Sequence, residues 1–441
     1  MSTTLSQRAK VIKQAFAMCL IPLVSVMMIE AYEMKEEDIH NTWVPMHHNQ
    51  LSFVVCKGVI ILGMSVYMKP MSIYLVNLSC YKPSSDLKIE FSAFMYHSGD
   101  FTPSSLEFQP KILERSGLGE ETYLPQALPY IPPTTSMAAA RDEAKQVMFG
   151  AFDDLFVNTN VKPEDIGILV VNCSLFNPTP SLSAMIVNKY KMKSNVKSFS
   201  LGGMGCSAGV IAIHIAKDML QLNKNTYVVV VSTENVTQNW YFGNNKSMLL
   251  PTCLFRFGGA AILLSNNASD WTRAKYKLVH VVRTQIGADD KAFEAVTQRE
   301  DDAGKVGVSL SRDLMVVAGE ALKSNITTLA PLVLIPIKEQ DLFLYSLMIK
   351  KLFNSRRKLY APNFKLAFDH SCIHGGGRAV IDEIEKNLQL QPEHIESSRM
   401  ALHRFGNTSC SIWYELAYRG KAQSEEGNHS LAGCIWKWLQ V

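Results

Sequence analysis

From residue 71 onward, short runs of aliphatic and β-branched residues alternate with segments that have a helical pattern. Several of these runs are apolar at nearly every position, so they predict strands that are buried on both faces of a sheet. The predicted strands are residues 166–174, 197–201, 226–234, 258–265 and 277–284. Because a sheet with two apolar faces must be covered by helices on both sides, the pattern predicts an α/β fold.

Helical segments lie between these strands, and the whole pattern begins again after a loop-rich centre. A further strand is predicted at residues 364–371. The predicted helices are residues 137–157, 207–220, 375–388 and 411–418. The second half therefore repeats the strand and helix pattern of the first. The two predicted halves are residues 71–270 and 271–441.

The N-terminal 70 residues differ from the rest because they contain two apolar runs, at 15–32 and 51–68. The uncharged part of the first run, residues 15–29, and the whole second run span roughly 22 and 27 Å as helices, slightly less than a hydrocarbon core of about 30 Å. An acidic loop joins them, whereas basic residues flank them outside: Arg8, Lys10, Lys13 and Lys69. This charge pattern predicts a membrane hairpin over residues 1–70 with both ends in the cytosol. The alternatives are two buried core helices or, for the first run, a cleaved signal peptide.

The bulk composition narrows the class of function. The chain has 441 residues, 47% of them hydrophobic and 19% charged, as expected for a packed globular enzyme. Its net charge is only +4 and it has no long basic block, so nothing points to nucleic acid. The nine cysteines form no CxxC pair, which argues against a disulfide framework and a zinc ribbon and favours a reducing, cytosol-facing compartment.

One cysteine stands between a glycine cluster and an apolar helical run. Gly202, Gly203 and Gly205 allow a tight turn with positive φ, and the predicted helix begins directly after Cys206. A cysteine at the start of a helix is favoured as a thiolate by the unpaired N–H groups and the helix dipole. Strand, sharp turn and helix together are how several acyl-transfer folds present a nucleophile. The alternative is an ordinary buried cysteine of the core.

Two polar residues lie at comparable junctions in the second half. His374 follows a predicted strand and precedes three glycines, and Asn407 precedes a helix. The order Cys, His, Asn is also that of papain-like proteases, but the local sequence around Cys206 does not match them. Each residue has a structural alternative, a packed histidine or a helix N-cap. His370, His403 and Gly205 are supporting candidates; His370 and His374 are four apart, but the glycines argue against one helix that holds a metal.

At these residues the chain closely resembles a known family, the plant 3-ketoacyl-CoA synthases, and it is similar to those of the cuticular-wax type. The likeness runs from about residue 11 to about residue 418. The motifs that carry it are "NPTPSLSAMIVNKYKMKSNVKSFSLGGMGCSAGVIAI", "STENVTQNWYFGNNKSMLLPTCLFRFGGAAILLSN", "KLAFDHSCIHGGGRAVIDEIEKNL" and "RFGNTSCSIWYELAY".

The resemblance implies a thiolase-like fold of two related α/β halves behind a hairpin in the endoplasmic reticulum membrane. It implies that Cys206, His374 and Asn407 form a catalytic triad that condenses a long-chain acyl-CoA with malonyl-CoA, without a metal or redox cofactor. The product would be a 3-ketoacyl-CoA in very-long-chain fatty acid elongation, as in wax synthesis. A homodimer and contact with the other elongase enzymes are further implications.

The chain also departs from the family pattern. Gln285, Ser371, Gly375 and His214 replace residues that are usually His, Phe, Ala and acidic. After Tyr418 only 23 residues follow, where the family continues through two strands and a glycine loop. The short segment "CIWKWL" is interpreted as a remnant of that ending. The departures leave a second hypothesis, a catalytically impaired relative that acts as a non-catalytic partner in the elongase complex.

Overall fold

A computed structural model describes residues 70–90, 101–129, 133–333, 368, 371–425 and 435–436. The predicted membrane hairpin lies outside the described residues, and so does nearly all of the strand predicted at 364–371. The chain divides into two compact units, of which one comprises residues 1–71 and 221–223. The other unit carries the sheet and nearly all of the helices that pack on it.

The centre of the fold is a seven-stranded mixed sheet. Its strands are β1 (Ile73–Cys80), β4 (Ile166–Asn172), β5 (Lys197–Leu201), β6 (Tyr227–Thr233), β7 (Gly259–Ser265), β8 (Tyr276–Leu278) and β11 (Ile435–Trp436). The order across the sheet is β11-β8-β1-β7-β6-β4-β5. Strands β5, β4 and β6 run parallel, while β7 is antiparallel to both β6 and β1. Two small antiparallel pairs complete the strands: β2 (Lys88–Glu90) with β3 (Glu121–Tyr123), and β9 (Val296–Glu300) with β10 (Val306–Leu310).

The described helices surround this sheet. They are α1 (Pro103–Ser116), α2 (Met137–Thr159), α3 (Leu182–Tyr190), α4 (Ala208–Leu222), α5 (Lys246–Leu254), α6 (Asp290–Phe293), α7 (Leu314–Val333), α8 (Arg378–Leu388), α9 (Pro392–Phe405) and α10 (Ser411–Glu425). Of these described helices, none is long and apolar enough to cross a membrane.

Both faces of the sheet are buried at its centre, as the apolar runs predict, whereas the edge strand β5 is mostly exposed. Val228 and Val230 point to one face and Val229 and Val231 to the other, and all four are fully buried. The first face packs against α4 and the start of α10, the second against α2 and α3. Burying a Val side chain contributes about 1.5 to 3 kcal/mol, so these strands are a main source of stability. The predicted helix-covered α/β fold is confirmed.

One predicted strand is too long. The run at 277–284 predicts a single strand, but β8 ends at Leu278. The rest of the run packs on α7, where Asn325 donates to the carbonyl of Val282 at 3.2 Å and to Thr284 Oγ1 at 3.0 Å. Val282 also joins an apolar cluster with Leu329 and neighbouring residues of α7. Packing on a helix therefore takes these residues out of the sheet.

The last described strand comes from the segment interpreted as a remnant. β11 pairs in parallel with β8, with Ile435 beside Lys277 and Trp436 beside Leu278. This two-residue strand lies at the edge of the sheet, where unpaired backbone groups would otherwise face outward.

Candidate active site

The turn that carries Cys206 lies between β5 and α4. After β5 the backbone passes through Gly203 with φ 68° and Gly205 with φ 61°, both in the left-handed region that favours glycine. A single 3-10 turn, Gly205–Ser207, then leads into α4. The predicted strand, sharp turn and helix are confirmed, and Cys206 is the middle residue of the 3-10 turn, two residues before α4 begins.

A neighbouring loop holds this glycine turn. Ser174 follows β4, and its hydroxyl donates to the Gly205 carbonyl at 2.8 Å. The Ser174 carbonyl accepts the Gly203 N–H at 3.0 Å and an amide N–H of Asn177 at 3.2 Å. Two peptide groups of the turn before the nucleophile, 202–203 and 205–206, are therefore held by one residue. The sequence did not identify Ser174, whose only signal is its place at the end of a buried strand.

The carboxylate of Glu234 lies beneath this loop. It accepts the N–H groups of Ser174 at 3.2 Å and Leu175 at 2.9 Å, the N–H of Asn235 at 3.2 Å, and the thiol of Cys173 at 3.2 Å. Glu234 is buried, and a buried carboxylate needs such donors. The sequence did not identify this residue either, although an acid directly after an apolar strand is unusual enough to mark it.

The environment of Cys206 favours the thiol over the thiolate. Burial raises the pKa of Cys206 to about 11, and the nearby Glu234 carboxylate raises it as well. Hydrogen bonds from the side chains of Ser409 and Asn407 act in the opposite direction and lower this pKa. The expectation that the helix start alone would give a thiolate is therefore wrong, because burial and a neighbouring negative charge outweigh it.

This pKa leads to a testable pH dependence. Only the thiolate reacts with iodoacetamide, and below the pKa its fraction rises tenfold for each pH unit. We expect the alkylation rate of Cys206 in the full chain to rise nearly tenfold per unit from pH 7 to 10, as followed by mass spectrometry of the labelled peptide. The Cys206→Ala variant gives the background from the other cysteines. A rate that levels off below pH 8 would contradict the raised pKa.

Asn407 lies next to Cys206 with its amide in a defined orientation. Its backbone N–H donates to the Leu254 carbonyl at 3.1 Å, and its carbonyl accepts the Arg256 N–H at 2.9 Å. Its Oδ1 accepts the N–H of Ser409 at 2.9 Å, which stabilises the positive φ of 58° at Ser409. Since Oδ1 is occupied, the Nδ2 group is left as the donor toward the site. Helix α10 begins only at Ser411, so the N-cap alternative for Asn407 is wrong.

His374 lies in a loop that two helices hold in place. The N–H groups on either side of it donate to buried serines, Ile373 to Ser398 Oγ at 2.9 Å and Gly375 to Ser411 Oγ at 3.1 Å. The ring itself contacts Ser411, whose Oγ lies 3.2 Å from His374 Nδ1. The Nε2 atom is buried and has no hydrogen-bond partner among the described residues. Burial lowers the pKa of His374 to about 4, so the imidazole is neutral at pH 7.

The supporting candidates have different positions. Gly205 forms the turn, and its carbonyl is the acceptor for Ser174. His403 is exposed near the end of α9, where its carbonyl accepts the Gly119 N–H at 2.7 Å and so joins α9 to the segment after α1. His370 lies outside the described residues. Within the part of the chain that the structure describes, no group of three His, Cys, Asp or Glu residues has a geometry for holding a metal.

Similarity to solved structures defines the class of fold. A point mutant of CsyB matches with a TM-score of 0.62 and 19% identity, over 81% of this chain and 93% of that one. The C-terminal type III polyketide synthase domain of Steely1 from Dictyostelium matches with a TM-score of 0.59 and 16% identity, over 79% and 92% of the two chains. The fold is therefore of the thiolase-like α/β class, as the resemblance implies.

Sequence similarity then defines the family. Residues 65–352 match the family described as FAE1/Type III polyketide synthase-like protein, and residues 352–437 match the C-terminal domain of chalcone and stilbene synthases. The chain is 63% identical to 3-ketoacyl-CoA synthase 4 of Arabidopsis thaliana, over 95% of this chain and 82% of that protein. It is also 63% identical to 3-ketoacyl-CoA synthase 9 of the same plant, over 95% and 83%. The chain belongs to the 3-ketoacyl-CoA synthase family and is a condensing acyltransferase.

Proposed function

We propose that this enzyme condenses a long-chain acyl-CoA with malonyl-CoA and releases a 3-ketoacyl-CoA, CO2 and CoA in very-long-chain fatty acid elongation. The observation that carries the proposal is the pairing of Cys206, on its glycine turn, with the donor side of the Asn407 amide. A thioester on Cys206 is reactive enough for attack by carbon, and an amide N–H beside it is suited to an oxyanion.

In the first half-reaction Cys206 accepts the acyl group. Its sulfur attacks the thioester carbon of the acyl-CoA, the bond from that carbon to the CoA sulfur breaks, and the proton of Cys206 ends on the released CoA thiol. Ser174 holds the peptide groups of the turn, and Glu234 holds Ser174, while the sulfur changes its charge.

In the second half-reaction malonyl-CoA loses CO2 and leaves an enolate, whose negative oxygen needs donors. The Nδ2 group of Asn407 and the Nε2 group of His374 supply them in this proposal. The enolate carbon attacks the acyl group on Cys206, the carbon–sulfur bond breaks, and the sulfur takes up a proton from solvent. The neutral state of His374 at pH 7 supports a role as a hydrogen-bond donor rather than as a charged partner of Cys206.

The proposal is tested by expressing the full chain in yeast membranes and supplying acyl-CoA substrates of different length with labelled malonyl-CoA. We expect labelled 3-ketoacyl-CoA two carbons longer than the acyl-CoA supplied, above the level in membranes without the chain. If the protein is present and acylated but no elongated product forms with any acyl-CoA, the non-catalytic elongase partner becomes the better hypothesis.

The location of the enzyme is part of the same proposal. The two apolar runs and the basic residues outside them support a hairpin in the endoplasmic reticulum membrane, with the catalytic part facing the cytosol. The family resemblance also supports a homodimer that works beside the other elongase enzymes.

Deleting residues 1–70 tests this anchor. We expect the full chain to remain in the membrane pellet after extraction with alkaline carbonate, and the shortened chain to appear in the supernatant, because both apolar runs are removed. The measurement is the share of each protein in the two fractions. A matched deletion variant that keeps residues 51–70 reports on the second run alone. A shortened chain that stays in the pellet would contradict a hairpin confined to residues 1–70.

A further inference from the structure

The hydroxyl of Ser411 lies within hydrogen-bond distance of the His374 ring. Ser411 is fully buried at the first residue of α10, and its Oγ lies 3.2 Å from His374 Nδ1. The same oxygen accepts the N–H of Gly375 at 3.1 Å. One side chain therefore contacts both the imidazole and the peptide group that follows it.

The protons in this cluster can be counted. The Gly375 N–H donates to Ser411 Oγ, so the hydroxyl proton of Ser411 needs an acceptor of its own. Among the residues that the structure describes, the only acceptor within its reach is Nδ1 of His374. If Nδ1 carried a proton instead, two donors would point at Ser411, and its own hydrogen would be buried without an acceptor, which is costly. The cluster therefore favours an unprotonated Nδ1 and a proton on Nε2.

We propose that Ser411 is a positioning residue that holds His374 with its proton on Nε2, so that this N–H points toward the oxygen of the malonyl thioester. The inference rests on the proposed function and adds to it a residue outside the triad. In this state Nε2 donates a hydrogen bond and cannot accept the proton of Cys206. Nε2 has no hydrogen-bond partner among the described residues, and its N–H is the donor to which the enolate oxygen would bind.

Ser398 provides a matched control on the other side of the loop. It is also fully buried, accepts the N–H of Ile373 at 2.9 Å, and donates to Glu415 at 2.6 Å. It thus holds the backbone directly before His374, as Ser411 holds the backbone directly after it. The Ser398 hydroxyl bonds to Ile373 and Glu415. Replacing Ser398 therefore tests support of the loop backbone, whereas replacing Ser411 also tests the hydrogen bond to the His374 ring.

The experiment compares Ser411→Ala, Ser411→Thr and Ser398→Ala in the full chain. Labelled acyl-CoA first counts the sites that become acylated on Cys206, and CO2 release from carboxyl-labelled malonyl-CoA is then measured per acylated site. We expect Ser411→Ala to lower the kcat of decarboxylation roughly tenfold or more, with the KM for malonyl-CoA changed less than about twofold. Ser411→Thr keeps the hydroxyl and should restore most of the rate.

Ser398→Ala should lower the melting temperature and leave the rate per acylated site within about twofold of the unaltered enzyme. A Ser411→Ala enzyme with a normal rate per acylated site would overturn the inference, because its serine would then serve the fold alone. Equal losses of rate per site in Ser411→Ala and Ser398→Ala would overturn it as well. His374→Ala separates the two levels: if it also decarboxylates normally, the proposed role of His374 fails and the inference fails with it, whereas the proposed function fails only if the unaltered enzyme forms no 3-ketoacyl-CoA.

Discussion

Replacing Cys206 with Ala is expected to abolish condensation, with a loss of at least about a thousandfold in 3-ketoacyl-CoA formation. The reason is chemical, since without the sulfur no acyl-enzyme forms and the enolate has no thioester to attack. The measurement is product formation from acyl-CoA and labelled malonyl-CoA, together with covalent label on the protein. The Cys206→Ala protein should carry no acyl label after gel separation.

The other cysteines supply the controls. Cys253 and Cys410 are fully buried near the site, and Cys80 is partly exposed on β1. Single replacements of Cys253 and Cys410 by Ala remove a small buried group and should cost stability more than activity per folded molecule. Folded Cys80→Ala should keep its acyl label, whereas substantial condensation by Cys206→Ala, or acyl label on that variant, would exclude Cys206 as the acyl acceptor.

His374→Ala and Asn407→Ala are expected to take up the acyl group on Cys206 but to fail at the next step. Each removes one donor from the place where the enolate oxygen would form, and the loss of such a donor typically costs about a hundredfold to a thousandfold. Decarboxylation of malonyl-CoA per acylated site should fall by that factor in each variant. The two assays, acyl label and CO2 release, are run on the same preparations.

The opposite pattern would reverse the roles. If His374→Ala lost acyl uptake and kept decarboxylation, the imidazole would be acting on the thiol of Cys206 and not on malonyl-CoA. For Asn407 the conservative variant Asn407→Asp is informative, because it keeps an acceptor for the Ser409 N–H and loses the Nδ2 donor. We expect it to decarboxylate as poorly as Asn407→Ala while it preserves the turn at Ser409.

Much of the fold follows from local patterns that the sequence displays directly. The buried strands β4, β6 and β7 are apolar at nearly every position, so their place and their helix cover could be predicted within one or two residues at each end. The glycines before Cys206 could be interpreted as a turn because only glycine adopts positive φ easily, and Gly203 and Gly205 do have positive φ. Cys206 could be placed before a helix because an apolar run follows the glycines, and Asn407 could be placed before a helix because the run at 411–418 follows it.

The remainder depends on contacts between distant segments. Glu234 and Ser174 are 60 residues apart and meet only because β4 and β6 are neighbours in the sheet. Ser411 reaches His374 across 37 residues. The raised pKa of Cys206 comes from burial and from Glu234, neither of which a local motif contains. Periodicity could not reveal these partners, because it describes one segment at a time.

The parallel register of β5, β4 and β6 has a consequence for how the nucleophile can move. Val171 of β4 lies beside Ser200 of β5 and Val231 of β6, so the three strands end at one edge and the loops of Cys206, Ser174 and Glu234 leave the sheet together. The turn itself follows β5, which is mostly exposed, and it is joined to the buried strand β4 through Ser174. Displacing Cys206 therefore needs the loss of the Ser174 hydrogen bonds and not the opening of β4 and β6, so such excursions belong to the local fluctuations of the fold.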